Sequence, residues 1–311
     1  MTQTETITLS LAHSPDSDDL VMWWPLTGIT NPDGSAIDGP LGEPQIDTGV
    51  FRFACVARDV EELNQLAIGG GDEPHDITAI SCGAYPALAD RYLITRSGGS
   101  FGENYGPKVV VALGSSLRSL DDLDETVTIA VPGVNTSAFL TLNLISPGFK
   151  FVPMLFSEIP GAVAGGRVDA GLLIHEAQLT FGDSGLRQIG DIGEWWHKDT
   201  GGKPLPLGLN VVARSLDTRY GAGTCQTVAD LLTASIETAV REKEASRLHL
   251  QINKGDRTEW DDPELVDKYL SMYVSDLTLD MGTAGREAIG LLLGRGAAAG
   301  LCESVESIEI I

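Results

Sequence analysis

The sequence predicts an α/β protein folded as two lobes around a cleft, and three observations carry that expectation. Short apolar runs rich in β-branched residues alternate with helical patterns, two Gly/Pro-rich stretches each lead into a strand, and 311 residues suffice for two domains of ordinary size. The strand-like runs are TITLSLA (6–12), FRFACVA (51–57), DITAIS (76–81), KVVVAL (108–113), VTIAV (127–131), DAGLLI (169–174) and GLNVVAR (208–214). Between them lie the helical patterns VEELNQLAI (60–68), TSAFLTLNL (136–144) and TVADLLTASIETAVREKEASRLHL (227–250). Such alternation argues for largely parallel sheets. The helical C-terminal third, with DPELVDKYLSMYV (262–274) and TAGREAIGLLLGRGAAAG (283–300), packs outside them.

The two punctuated stretches are SGGSFGENYGPK (97–108) and TGGKPLPLGLN (200–210). Read as hinges, they make residues 108–206 an inserted second lobe, with residues 1–107 plus 207–311 forming a discontinuous first one. Clefts between lobes are favoured ligand sites. The segment 27–49 has Asn-Pro-Asp-Gly and Gly-Pro turns and almost no periodicity, so it reads as a loop or weak hairpin.

Composition narrows the function. Forty-four acidic against 21 basic residues give a formal charge of -23, and no stretch gathers Lys and Arg as a phosphate-tracking surface requires. Nucleic acid and anionic membranes are therefore not expected partners, and the acidity itself reads as solubility. Cys55, Cys82, Cys225 and Cys302 stand far apart with no zinc spacing, and read as buried small apolar residues. The N-terminus has no basic or apolar leader pattern, and no run of 18 apolar residues occurs, so a cytoplasmic protein is expected.

Three strand-to-helix turns offer unpaired N–H groups to an anion: AHSPDSDDL (12–20), ISCGAYPAL (80–88) and VPGVNTSAFL (131–140). In the first, Ser14 or Ser17 reads as the cap, with Pro15 in the first turn and Asp16, Asp18 and Asp19 complementing the helix dipole. The clustered acids also suggest a metal, but no second ligand group stands at suitable spacing, so none is expected. In the other two turns Ser81, Thr136 and Ser137 serve equally as N-caps or as hydroxyl donors to a substrate anion.

GLLIHEAQLTF (171–181) sends His175 and Glu176 out of the end of a buried strand. A histidine there is either a satisfied structural residue or, at the mouth of a cleft, a general base whose pKa lies near neutrality. Glu176 orients it, contacts substrate or faces solvent. His75, His197 and His249 fall in turns or polar segments, whereas His13 lies at another strand end and is a second candidate. Dinucleotide and nucleotide phosphate loops and the serine-hydrolase elbow are missing, which disfavours those chemistries.

Six segments in order, LAHSPDSDDLVMWWPL, DITAISCGAYPALADRYLITRSGGSFGENYGPKVV, VPGVNTSAFLTLNL, GRVDAGLLIHEAQLTF, DIGEWWHKDTGGKPLPLG and DKYLSMYVSDLTLDMGTAGREAIGLLL, resemble the 1,4-dihydroxy-6-naphthoate synthases of the futalosine route to menaquinone. The resemblance runs from about residue 7 to 301, interrupted mainly at 27–49. It implies a periplasmic-binding-protein-like type II fold with two α/β lobes, a central cleft and two crossover hinges. It also implies cleavage of cyclic dehypoxanthinylfutalosine with no cofactor and no metal, on a small carboxylate substrate.

The family's catalytic histidine falls on His175. Candidate substrate contacts are Ser14, Asp16, Ser81, Gly106, Thr136, Ser137, Glu176 and Asn210. The sequence departs from the family pattern at Leu209 and Asn210, at Trp23 and Trp24, and in the length of 27–49, positions where fit to a particular substrate is decided. A sister family of chorismate-dehydrating enzymes shares the fold, but HSPDSDD and IHE favour the synthase. The alternative class is a cytoplasmic solute-binding or sensor protein of the same fold for a small carboxylate.

Overall fold

The computed structural model describes residues 6–70 and 74–311. Two sheets organise it. The first takes β1 (Ile7–His13), β2 (Phe51–Ala57), β3 (Ile77–Ser81), β4 (Tyr92–Ile94) and β5 (Ser100–Gly102), and the chain returns to it much later with β11 (Leu205–Ala213). Its order is β2-β1-β3-β11-β4, with β5 also paired to β11. The second sheet is built wholly from the intervening chain: β6 (Lys108–Ala112), β7 (Thr128–Val131), β8 (Lys150–Pro153), β9 (Ala170–Leu173) and β10 (Leu186–Asp191), in the order β10-β6-β9-β7-β8. The chain thus crosses between sheets twice, at 103–107 and through the segment after β10.

The sheets are mixed rather than largely parallel. β1 runs parallel to β2 and β3, and β7 to β8 and β9, as the strand-helix alternation predicts. The antiparallel pairs all involve β6 or β11, the strands that enter directly after a crossing. A strand arriving from the other sheet needs no right-handed helical crossover, so its direction is free of the parallel rule. Four strands escape the sequence reading. β4 and β5 are only three residues long, β8 is exposed along its length, and β10 has a bulge between Gln188 and Gly190; each lacks the buried run that marks a strand.

Helices cover both sheets. α1 (Ser17–Thr27), α2 (Val60–Gly69), α3 (Ser137–Ile145), α4 (Ile159–Ala164), α5 (Ala177–Thr180), α6 (Ile192–Asp199) and α7 (Ser215–Tyr220) connect strands. α8 (Thr224–Arg241), α9 (Lys243–Asn253), α10 (Pro263–Tyr273), α11 (Asp276–Leu279) and α12 (Gly282–Ala298) form the outer C-terminal layer. The expected single helix over 227–250 is two helices, broken at Glu242, whose backbone leaves the helical region at φ -94° and ψ 55°. The Ser246 hydroxyl accepts from the buried Trp24 indole and donates to the Ala239 carbonyl, which folds α9 back over α1.

The largest apolar core is continuous between the two sheets, drawing Ile80 and Tyr85 from one side, Ile129 and Leu172 from the other, and Leu140 and Leu292 from α3 and α12. Segment 27–49 closes a weak hairpin through an antiparallel bridge between Thr30 and Ala36. Cys82 and Cys225 are buried as expected, but Cys55, towards the end of β2, is exposed and Cys302 only half-buried. No described helix is long and apolar enough to cross a membrane.

Candidate active site

A cavity lies between the sheets. β1 and the start of α1 supply Ser14, Asp16, Asp18 and Asp19; β3 supplies Ser81; β11 supplies Gly208, Leu209 and Asn210. From the other side come Thr136, Ser137 and Ala138 at the start of α3, and Ile174, His175 and Gln178 after β9. Tyr269 and Tyr273 of α10 complete the wall.

His175 is held in an unusual way. Its φ of +57° is in the left-handed region, a conformation that non-glycine residues adopt at a cost of order 1 kcal/mol and that clusters at functional sites. Three neighbours fix it. The Asp16 carboxylate pairs with Nδ1 across the cleft, the Phe156 ring meets the imidazole edge-on at 4.7 Å, and Gln178 holds the backbone. Assigned the amide orientation its neighbours require, Gln178 accepts from the His175 N–H at 3.1 Å and donates to the Gly106 carbonyl. Nε2 of His175 is buried and has no partner among the described residues, in a side chain that lines the cavity.

The electrostatics follow from this crowding. Burial by itself would lower the His175 pKa, but the charge and hydrogen bond of Asp16, with Glu176 and Asp18 nearby, more than offset it and hold the imidazole at about 9. Asp19 is pushed up to about 7 by burial and by Asp16, and burial with its acidic neighbours pushes Asp18 well above the usual carboxylate range. Carboxylates packed around one imidazole do not all ionise together, so the cluster holds protons beside His175. Among the described residues no group of three His, Cys, Asp or Glu side chains converges in metal-ligating geometry.

The first turn differs from the expected cap. Asp16, not Ser14 or Ser17, is the N-cap residue of α1, which puts Pro15 before the helix, yet the Asp16 side chain makes no capping bond. Its Oδ2 is committed to His175 and to the Ser14 hydroxyl at 2.7 Å. Capping passes to Glu176, whose Oε1 accepts from the Ser17 N–H at 3.1 Å and hydroxyl at 2.9 Å, and from the Trp260 indole at 3.3 Å. Glu176 therefore sits between the lobes and does not line the cavity.

The three candidate hydroxyls are not equivalent. Thr136 caps α3, accepting from the Phe139 N–H at 3.1 Å and donating to the Gly133 carbonyl at 2.9 Å. Ser137 donates to the Leu207 carbonyl at 2.5 Å and accepts from the Gly83 N–H at 3.1 Å. Ser81 accepts from the Asn64 amide at 3.1 Å, and its own O–H has no acceptor among the described residues. Asn210 donates to the Gly98 carbonyl at 2.8 Å, while its buried Oδ1 is likewise unpartnered among the described residues.

Gly106 does not line the cavity, although its neighbour Pro107 does. Its glycine is explained by packing, since a Cβ there would meet the Gly193 backbone at 2.9 Å. His13 is buried with Nδ1 on the Ser14 carbonyl at 2.7 Å, away from the cavity. His249 is not in a turn but buried in α9. Gln178, Tyr269 and Tyr273 escaped the sequence reading; the signal available for the two tyrosines was their spacing of four on one helix, which places them on one face.

Fold and site together define a two-lobed α/β protein of the ligand-binding-cleft class with a histidine-carboxylate pair at the lobe junction. An alkanesulfonate-binding protein from Xanthomonas axonopodis, bound to MOPS, shares the fold at 17% identity, with TM-score 0.64 and coverage of 97% of this chain and 96% of that one. Residues 9–298 match the menaquinone-biosynthesis family, and the chain belongs to that family. It is 35% identical over 246 residues to the 1,4-dihydroxy-6-naphthoate synthase of Thermus thermophilus, covering 79% of this chain and 84% of that one. To the synthase of Streptomyces coelicolor it is 32% identical over 300 residues, covering 94% of each. Protein AF1704 of Archaeoglobus fulgidus has a solved structure with TM-score 0.76 at 34% identity, covering 94% of this chain and 98% of that one.

Proposed function

We propose that this protein is a carbon–carbon lyase that cleaves cyclic dehypoxanthinylfutalosine to 1,4-dihydroxy-6-naphthoate, with His175 as general base and its lobes divided as 1–107 plus 207–311 and 108–206. The observation that carries the reading is the Asp16–His175 pair, which leaves Nε2 unpartnered in a side chain that lines the cavity. The names of the relatives support it.

The chemistry asks for a base and for anchoring groups. Nε2 removes the acidic proton next to the substrate carbonyl, the electron pair released completes the aromatic ring, and the ribose-derived fragment leaves with the pair of the broken carbon–carbon bond and regains a proton. Asp16 holds Nδ1–H, fixing the tautomer and stabilising the imidazolium that forms. Ser81 supplies a free O–H and the start of α3 supplies backbone N–H groups for the substrate carboxylate. The acidic cluster disfavours that carboxylate near His175, so the charged end of the substrate lies at the Ser81 and α3 side. No step calls for a metal or redox cofactor, and we place the enzyme in the cytoplasm.

The test is release of the naphthoate by purified protein given this substrate, set beside His175→Asn. Binding without turnover by the wild type would instead make the protein a solute-binding or sensor protein of the same fold.

A further inference from the structure

We propose that lobe closure is held by two reciprocal carboxylate latches, Glu176 reaching from the second lobe to Ser17 and Trp260 of the first, and Glu61 reaching from the first lobe to Asn135 of the second. Both act as positioning residues. Neither lines the cavity, and each takes its key partners from across the cleft.

The Glu176 latch works through adjacency. Asp16 and Ser17 are consecutive, as are His175 and Glu176, and the two pairs meet in register: Asp16 with His175, Ser17 with Glu176. The approach of the two backbones that brings the His175 imidazole to Asp16 therefore also brings Glu176 to the start of α1. Trp260, only 1% exposed, adds a third donor to the same carboxylate oxygen from the C-terminal layer. This part of the proposal rests on the reading of His175 as the base.

The Glu61 latch mirrors it. Glu61 is 7% exposed on α2, and its two oxygens accept from the Asn135 N–H at 3.2 Å and side-chain amide at 2.8 Å. Behind it, fully buried Asn64 donates to Glu61 at 3.3 Å, donates to the Ser81 hydroxyl and accepts from the Ser81 N–H at 2.8 Å. Asn135 directly precedes the Thr136 cap of α3. One carboxylate thus ties the first lobe's free hydroxyl to the second lobe's helix start. A Cβ at Gly133 would meet the Glu61 carboxyl at 2.3 Å, so the turn is shaped to admit this side chain.

The full-length protein with Glu176→Ala or Glu61→Ala, and with the isosteric Glu→Gln changes, tests this. Kinetics of naphthoate release are read alongside the ligand-free radius of gyration from small-angle X-ray scattering. Each alanine variant is expected to lose on the order of 10-fold or more in kcat/KM and to expand, because the closed state is less populated. Glu176→Gln keeps the single acceptor oxygen that its donors share and stays within about threefold of wild type, whereas Glu61→Gln turns one of two accepting oxygens into a donor facing another donor and falls between wild type and alanine.

A Glu176→Gln variant as impaired as Glu176→Ala would show that the charge itself is needed and overturn the latch. Alanine variants with unchanged kinetics and compactness would overturn it too. Trp260→Phe and Asn135→Ala each remove one side-chain donor from the opposite lobe; combined with the matching alanine change they should be non-additive, and full additivity counts against the proposal. If His175→Asn keeps full turnover the functional reading fails, while scattering still decides the latches.

Discussion

Asp16 and His175 come from opposite lobes, and their side chains meet across the cleft with Nδ1 engaged and Nε2 left free. The pair forms only when the two lobes are together, so in the proposed mechanism enclosing the substrate and orienting the imidazole are one event.

Replacing His175 by Asn should lower kcat by about 10²- to 10⁴-fold, the usual contribution of a positioned base. KM should change little, since the asparagine keeps the shape of the wall. Steady-state kinetics of naphthoate release check this, and full activity in the variant would remove His175 from the mechanism.

The pH profile reports on Asp16. A base must be neutral to act, so kcat/KM should rise with pH and level off near the raised value of about 9. Asp16→Asn removes the charge that raises the imidazole, and the limb should shift towards 6.5. An unmoved limb in Asp16→Asn would assign it to another group.

Ser81 and Thr136 should differ in their effect on binding. Ser81→Ala removes a hydroxyl with an uncommitted proton and also leaves the buried Asn64 amide one acceptor short, so it is expected to raise KM roughly 10-fold, about 1.4 kcal/mol, and to lower Tm as well, whereas Thr136→Ala should leave KM near wild type. Thr136→Ala removes the α3 cap and should cost about 1 kcal/mol of stability. Paired kinetics and thermal melts decide; a reversed pattern would place the anion at Thr136.

Acid should destabilise the fold through His249. Burial and the neighbouring His13 hold its pKa down at about 4, whereas in the unfolded chain it returns to about 6.5. The unfolded state therefore gains a proton first as pH falls. This group's contribution is intact above about pH 6.5 and is lost progressively towards pH 4, to the extent of about 3 kcal/mol. His249→Gln should flatten the unfolding free energy across that window relative to wild type. Denaturant titrations at several pH values measure it.

Much of the fold was legible in the sequence because burial leaves a periodic mark. β2 spans 51–57 as read, and β1, β3, β6, β7 and β9 begin within one residue of their expected starts. The strands that were missed are short, exposed or bulged, and the mixed direction of the sheets depends on which strands follow a crossing, which no local pattern records. The site shows the same division. His175 was marked by a buried strand ending in an ionisable side chain, and Ser81, Thr136 and Ser137 by their place at strand-to-helix turns.

The sequence by itself determined the α/β class, the two crossings and the identity of the chemical groups, because these follow from composition and local periodicity. Tertiary structure alone decided which groups meet. Asp16 left its helix cap for His175, Glu176 took over the cap from the opposite lobe, Ser81 kept a free proton while Ser137 spent its own on Leu207, and α10 brought Tyr269 and Tyr273 to the cavity. Hydrogen bonds between residues far apart in sequence depend on how two lobes close, and that geometry is set by packing across the whole chain rather than by any segment within it.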